Sequence, residues 1–272
     1  MKRLPKSSLA STVLMVLGLL SLGGLINTAS AQQRNIPLDQ LKSGLAYSSD
    51  EVRGLQLDDD FSSLSAHGID KGAQLWKQVA GSSNKSCESC HGEVTQSMKG
   101  ASTRYPAIDK ATGKLFNLED RIRSCRQKNQ KAPNWALESD ELLAMSLHVN
   151  TASKGMPIQV KIDGPAKKHF DAGEKLYMAR QGQLNLSCTQ CHDQHYGRRL
   201  FNDKLSQGQP NAYPIYRLDW QYLASLERRL RFCYSSVRAE LPAWGHVDMR
   251  NIELYLKWRA EGLPLEVPAV RK

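Results

Sequence analysis

The feature that most constrains this chain is a Cys-x-x-Cys-His motif, which occurs at residues 87–91 and again at 188–192. The spacing places two thiols and one imidazole on a single helical turn, so all three can face one flat macrocycle. This pattern is typical of covalent c-type haem, in which the thiols bind the haem vinyl groups and the histidine binds the iron. Two motifs predict two haems. Their attachment residues are Cys87, Cys90 and His91 in the first motif, and Cys188, Cys191 and His192 in the second.

The N-terminus has the parts of a secretory signal peptide. Basic residues precede an apolar run at 9–26, and a small-residue cleavage sequence follows at 29–31. We therefore predict a signal peptide at 1–31, cleaved after Ala31, and no stable membrane anchor. The apolar run is just long enough for an uncleaved anchor, which is the alternative. Because c-type haem is attached outside the bacterial cytoplasm, we expect the mature protein in the periplasm.

The chain has a formal net charge of +10, and residues 1–31 contribute three basic residues and no acid, so the predicted mature chain carries +7. A basic surface suits nucleic acid, a small anion or an acidic protein. Export argues against nucleic acid. The charge therefore favours an anionic substrate or an acidic protein partner.

The chain contains an internal repeat. Residues 70–76 resemble residues 171–177, which lie 101 positions later, and the two haem motifs keep this spacing. Residues 118–125 resemble residues 226–233 at a spacing of 108, so the second copy has seven extra residues after its motif.

Helical patterns flank both motifs, and strand signals are weak. We predict a mostly α fold of two tandem cytochrome c-like domains that wrap around covalently bound haems. The predicted limits are 32–66 for an N-terminal arm, 67–164 for domain 1, and 165–272 for domain 2, which contains the active-site haem.

Two cysteines lie outside the motifs, and one follows each motif: Cys125 and Cys233. Each iron needs a second axial ligand or an open position, and a repeat that keeps its chemistry should keep its ligand type. The matching cysteines meet this test, whereas Met156 has Leu263 as its counterpart. The histidines without a counterpart are His148, His195 and His246. The residues alone leave open a Cys125–Cys233 disulfide, since the predicted compartment is oxidising.

Basic residues precede the second of these cysteines. Arg229 lies four positions before Cys233 and shares its helix face, and Arg231 lies two positions before it. Guanidinium groups lower the pKa of a thiol and can hold a sulfur oxyanion. A solvated basic helix face, with Glu227 as an ion-pair partner, is the alternative that the residues leave open.

The two motifs, the two later cysteines and the segment 229–240 resemble the SoxA family, the cysteine-ligated cytochromes of bacterial thiosulfate oxidation. The resemblance covers the predicted mature chain. Because the first motif is complete and Cys125 is present, the chain is similar to the dihaem members of that family.

The resemblance implies an enzyme, L-cysteine S-thiosulfotransferase. Such a subunit forms a heterodimer with a SoxX cytochrome and couples thiosulfate oxidatively to a cysteine of the SoxYZ carrier protein. The product is a cysteine S-thiosulfonate, and two electrons pass to c-type haem and on to an electron-accepting cytochrome c. The site residues implied are His91 and Cys125 as axial ligands of one haem, His192 and Cys233 as axial ligands of the active-site haem, Arg229 as the thiosulfate-binding residue, and Cys233 as the persulfide-forming cysteine.

Three other functions remain open on the residues alone. A dihaem electron-transfer cytochrome c would have ordinary methionine or histidine distal ligands. A dihaem peroxidase-like enzyme would have an open iron position with an acid or base nearby. A haem-binding scaffold would have the structural disulfide.

Overall fold

The computed structural model describes residues 34–57 and 63–272. The predicted signal peptide, 1–31, lies outside these ranges. Within them, no helix has both the length and the apolar character that a membrane span requires. The described residues are mostly helical with a few short strands, so the predicted fold class is confirmed.

The α-helices of the described residues are α1 (Asp50–Leu57), α2 (Ser63–Lys77), α3 (Cys87–His91), α4 (Val94–Ser97), α5 (Leu118–Lys128), α6 (Asp140–Thr151), α7 (Lys167–Met178), α8 (Leu226–Ser236) and α9 (Val247–Arg259). The strands are β1 (Ala107–Ile108), β2 (Leu115–Phe116), β3 (Arg199–Leu200), β4 (Asp203–Lys204), β5 (Ile215–Arg217), β6 (Tyr222–Ala224) and β7 (Val270–Arg271). Short 3-10 helices lie at Leu38–Gln40, Gly44–Tyr47, Ser102–Arg104 and Gly164–Ala166, and a π-helix lies at Gln190–Gln194.

Each half is built on a pair of packed helices, α2 with α6 and α7 with α9. Glycine permits the close approach in both pairs. A Cβ on Gly72 would lie 2.3 Å from the carbonyl oxygen of Ala144, and one on Gly173 would lie 2.1 Å from that of Asn251. Because these two glycines are 101 positions apart, the repeat in the sequence is also a repeat of helix packing.

A β-hairpin precedes the cysteine-bearing helix in each half. In the first, Ala107 pairs with Phe116 and β1 is antiparallel to β2. In the second, Ile215 pairs with Ala224 and β5 is antiparallel to β6. The paired positions, and the ends of α5 and α8, all differ by 108. The seven extra residues therefore lie between the second motif and the second hairpin, in the stretch that contains β3 and β4.

The two halves share contacts. Arg250 of α9 is 3% exposed and binds Glu227 of α8 at 2.7 Å, and it also binds Asp120 of α5. The described residues from 34 to 272 form one compact unit. The predicted limit between the two domains, at 164 and 165, falls in the segment between α6 and α7. The predicted N-terminal arm ends at 66, but α2 already begins at Ser63. The domain limits remain a prediction.

Candidate haem and thiol sites

The first motif forms the short helix α3. Ser86 caps it, since its hydroxyl accepts a hydrogen bond from the Ser89 amide at 2.9 Å and the Ser89 hydroxyl accepts one from the Ser86 amide at 3.1 Å. The Trp76 indole of α2 donates to the carbonyl of Gly92 at 3.0 Å, and its ring lies 5.9 Å from that of His91. The two thiols and the imidazole therefore share one helical turn, as predicted.

The second motif differs from this expectation, because its backbone widens into the π-helix Gln190–Gln194. Asp193, the residue after the motif, anchors the turn. Its carboxylate accepts hydrogen bonds from Tyr177 of α7 at 2.9 Å and from Thr189 at 2.8 Å, and it pairs with Arg259 of α9. Single π turns inside helices occur frequently at functional sites. The helix pair of this half thus holds the motif in place.

The His192 imidazole is oriented as iron ligands usually are. Its Nδ1 lies 2.8 Å from the carbonyl oxygen of Ser206. A carbonyl only accepts, so Nδ1 carries the hydrogen and Nε2 is the ring nitrogen left for a metal. Metal-binding histidines commonly donate their second ring nitrogen in this way. His192 also forms a side-chain hydrogen bond with Cys233.

Each later cysteine lies beside the motif of its own half. Burial raises the pKa of the Cys87 thiol, and the nearby Cys125 thiol on α5 adds to that rise. Burial likewise raises the pKa values of Cys188 and Cys191, and Cys233 on α8 adds to both. All six cysteines are free thiols, with no Cys125–Cys233 disulfide. Two thiols, an imidazole and an opposing thiol form a donor set that suits covalent haem c with histidine and thiolate ligands to the iron.

The Cys233 thiol has an unusually low pKa. Burial would raise that pKa, but the positive charge of Arg229, the hydrogen bond with His192 and the positive charge of Arg217 outweigh burial and lower it to about 7. The pKa of Arg229 is raised at the same time. Burial lowers the pKa of this guanidinium, but the interactions with Cys233 and Tyr213 outweigh burial and raise the pKa. The predicted pairing of Arg229 with Cys233 is therefore present in the structure.

The Cys125 thiol has the opposite character. Burial raises its pKa, and the nearby Arg121 and the hydrogen bond with Asn129 do not reverse that effect. Arg121 is engaged elsewhere. It forms an ion pair with Asp109 at 2.7 Å and donates to the Tyr105 hydroxyl at 3.2 Å. The first site therefore favours the neutral thiol.

Three of the residues that lack a matching ligand in the other half of the repeat have contacts of their own. Met156 packs against Gly100. The His148 ring lies 6.0 Å from that of Trp76. His195 donates from Nδ1 to the Gln190 carbonyl at 2.6 Å. None of these contacts is with a motif cysteine.

Two arginine side chains have contacts that the sequence did not indicate. Arg231 stacks on Trp244, with its Cζ 4.3 Å from the ring centroid, and donates to the carbonyl of Pro242.

Arg217 of β5, which the sequence did not single out, contributes to the Cys233 site. It is distant from Cys233 in sequence, and only the hairpin register brings it there. Glu227, the partner considered for the basic helix face, instead binds Arg250.

Comparison with known proteins gives one consistent answer. The sequence-family model of the SoxA/TsdA cytochrome c domain matches residues 71–158. The L-cysteine S-thiosulfotransferase subunit SoxA of Pseudaminobacter salicylatoxidans is 34% identical, over 90% of this chain and 86% of that protein. The same subunit of Rhodovulum sulfidophilum is 35% identical, over 86% of this chain and 81% of that protein.

The fold gives the same result. The crystal structure of SoxXA from P. pantotrophus superposes with a TM-score of 0.82 at 34% identity, over 85% of this chain and 87% of that one. A cytochrome c domain implies covalently bound c-type haem. On the sequence identity, the coverage and the structural match, the chain belongs to the SoxA family.

Proposed function

We propose that the chain acts as the SoxA-type subunit of an L-cysteine S-thiosulfotransferase. In this reaction a carrier cysteine loses its proton, a sulfur–sulfur bond forms between that cysteine and the sulfane sulfur of thiosulfate, and two electrons leave. The product is a cysteine S-thiosulfonate. The observation that carries the proposal is that Cys233 is hydrogen-bonded to His192 of a haem-attachment motif, with Arg229 one helical turn before it on α8.

The proposed site uses two covalently bound haem c groups, which supply the acceptor for the electrons. Cys188 and Cys191 would attach the active-site haem, and His192 and Cys233 would bind its iron. The corresponding residues for the other haem are Cys87, Cys90, His91 and Cys125. In the second half, the hydrogen bond from His192 to Ser206 holds the imidazole in the tautomer that binds a metal.

Arg229 would bind thiosulfate. Its side chain is half-buried beside Cys233, and a guanidinium can donate two parallel hydrogen bonds to the oxygens of one sulfonate group. The same cation stabilises the Cys233 sulfur in its anionic form, which is the nucleophilic form. We propose that Cys233 acts as a cysteine persulfide, in which the added sulfur extends toward the bound anion.

The proposed partners follow from the same reaction. A SoxX-type cytochrome would form the heterodimer, a SoxYZ-type carrier would supply the reacting cysteine, and an electron-accepting cytochrome c would remove the electrons. The signal peptide at 1–31, cleaved after Ala31, would direct the chain to the periplasm. The proposed domain limits are those given above, with the active-site haem in residues 165–272.

Mass spectrometry of the carrier tests this function. The holo complex is incubated with carrier, thiosulfate and an oxidised cytochrome c, and the intact mass of the carrier is then measured. We expect one thiosulfate group on its cysteine with the wild-type complex and none with Cys233→Ser. A simple electron-transfer cytochrome, the main alternative, would exchange electrons but leave the carrier unmodified, and that result would refute the proposal. Family membership does not favour this alternative or a peroxidase-like enzyme.

A further inference from the structure

The second site contains an arginine that the proposed mechanism does not use. Arg217 lies in β5, and its Nε is buried without a hydrogen-bond partner. Its guanidinium stacks on Trp220, with Cζ 4.8 Å from the ring centroid, and interacts electrostatically with both Arg229 and Cys233. Two half-buried cations repel each other, and removing them from water is costly unless an anion compensates.

The surroundings of Arg217 have a counterpart in the first half. Both hairpins have the same register, and α5 and α8 begin and end at equivalent positions, so residues 108 apart occupy equivalent places. The corresponding pairs around the two cysteines are Tyr105 and Tyr213, Asp109 and Arg217, Arg121 and Arg229, and Cys125 and Cys233.

One of these pairs reverses its charge. In the first half, Asp109 is buried and accepts a hydrogen bond from Arg121 at 2.7 Å. In the second half, Arg217 stands in the place of Asp109, so Arg229 has a cation where Arg121 has a carboxylate. Among the described residues, neither Arg217 nor Arg229 forms an ion pair with a carboxylate.

The nearest acidic residues do not replace Asp109. Asp203 and Asp219 act on Arg229 only as weaker electrostatic influences, after Cys233 and Tyr213. Asp203 pairs with Lys272 at 3.0 Å, and Asp219 is exposed. The second half therefore has two arginines where the first half has one arginine and the carboxylate that neutralises it.

We infer that Arg217 is a second substrate-binding residue, and that Arg217 and Arg229 together hold the sulfonate oxygens of thiosulfate. This inference rests on the proposed function. The bound anion takes the role that Asp109 has in the first half. Two guanidinium groups suit a sulfonate because it has three oxygens that accept hydrogen bonds in different directions. With the sulfonate held, the sulfane sulfur stays free to form the new bond.

Variants of the holo complex test the role of Arg217. Arg217→Gln removes its charge, and Arg217→Asp recreates the pairing of the first half by giving Arg229 a carboxylate. We expect Arg217→Gln to raise the KM for thiosulfate about 10- to 100-fold, the range for a lost hydrogen bond to a charged group. Arg217→Asp should raise it further. With either variant, kcat at saturating thiosulfate should change far less than KM.

A binding measurement separates affinity from turnover. Calorimetric titration of the holo complex with thiosulfate, without carrier, should show the same loss of affinity. Unchanged haem absorption spectra would establish that the variants are folded. The matched control is Arg231→Gln, which removes one charge from α8 near Cys233 but leaves both proposed anion-binding arginines in place. Its KM should equal that of the wild type.

Two results would overturn the inference. The first is that Arg217→Asp leaves both the KM and the affinity for thiosulfate unchanged. The second is that Arg231→Gln lowers the affinity for thiosulfate as much as Arg217→Gln does. In either case Arg217 has no specific role. Either result leaves the proposed function intact, provided that the wild-type complex still modifies its carrier. A wild-type complex that does not use thiosulfate would overturn the proposed function and this inference together.

Discussion

The two halves of the molecule place a cysteine at the same point of the same helix, but they give its thiol opposite acid strengths. Burial raises the pKa of Cys125, whereas the charges around Cys233 overcome burial and bring its pKa to about 7. Both cysteines have an arginine four positions earlier. The arginines differ in their partners, because Asp109 binds Arg121, whereas no carboxylate in the described part of the chain forms an ion pair with Arg229.

This contrast explains how one repeat can support two tasks. A cation that is already paired with a carboxylate contributes little field at a neighbouring sulfur, and an unpaired one contributes much more. The motifs differ too, since Cys90 and His91 are exposed while Cys191 and His192 are half-buried. Under the proposed function, the first half would serve haem ligation and electron transfer, and the second would serve chemistry at sulfur.

The largest expected effect comes from the two cysteines themselves. Cys233→Ala should lower thiosulfate turnover by about three orders of magnitude or more, as removal of a reacting group does in other enzymes. Cys125→Ala should change the absorption spectrum of the first haem and retain most of the turnover. Steady-state assays with carrier protein measure both. Equal losses in the two variants would show that the halves do not divide their tasks.

The next effect concerns the contact between the halves. Arg250→Met would leave Glu227 and Asp120 buried or half-buried without their cation, and we expect the free energy of unfolding to fall by about 3–5 kcal/mol. Thermal or denaturant unfolding followed by haem absorbance measures this. Arg199→Gln, an exposed change in β3, is the control. A loss as small as that of the control would mean that Arg250 does not join the halves.

A smaller effect separates the two equivalent arginines. Arg229→Ala should raise the KM for thiosulfate about 10- to 100-fold, because a charged contact to the substrate is lost. Arg121→Ala should leave KM unchanged, because that guanidinium is committed to Asp109. Haem spectra should be normal in both variants. An unchanged KM for Arg229→Ala would remove this residue from the site.

The smallest effect is expected from removing the carboxylate that pairs with Arg121. Asp109→Asn makes this change and adds net positive charge near Cys125. We expect a modest rise in the reduction potential of the first haem, since positive charge favours the reduced iron, with thiosulfate turnover unchanged. Potentiometric titration measures the shift. A lower potential would show that Asp109 does not neutralise Arg121.

Much of this arrangement could be predicted from local sequence. The haem motifs, the helices around them and the pairing of Arg229 with Cys233 depend on spacings of a few residues. The role of Arg217 could not be predicted in this way. It depends on a hairpin that seven inserted residues move along the sequence relative to the haem motif, and on an arginine standing where the other half has a carboxylate. The turn of Arg231 toward Trp244 likewise depends on tertiary packing.

The claim that Cys233 is the reactive sulfur is tested most directly by mass mapping of the holo complex, purified without reductant. We expect haem on both motifs and one added sulfur atom on Cys233, with Cys125 unmodified. Added sulfur on Cys125 instead, or a disulfide between Cys125 and Cys233, would contradict the division of tasks between the two halves.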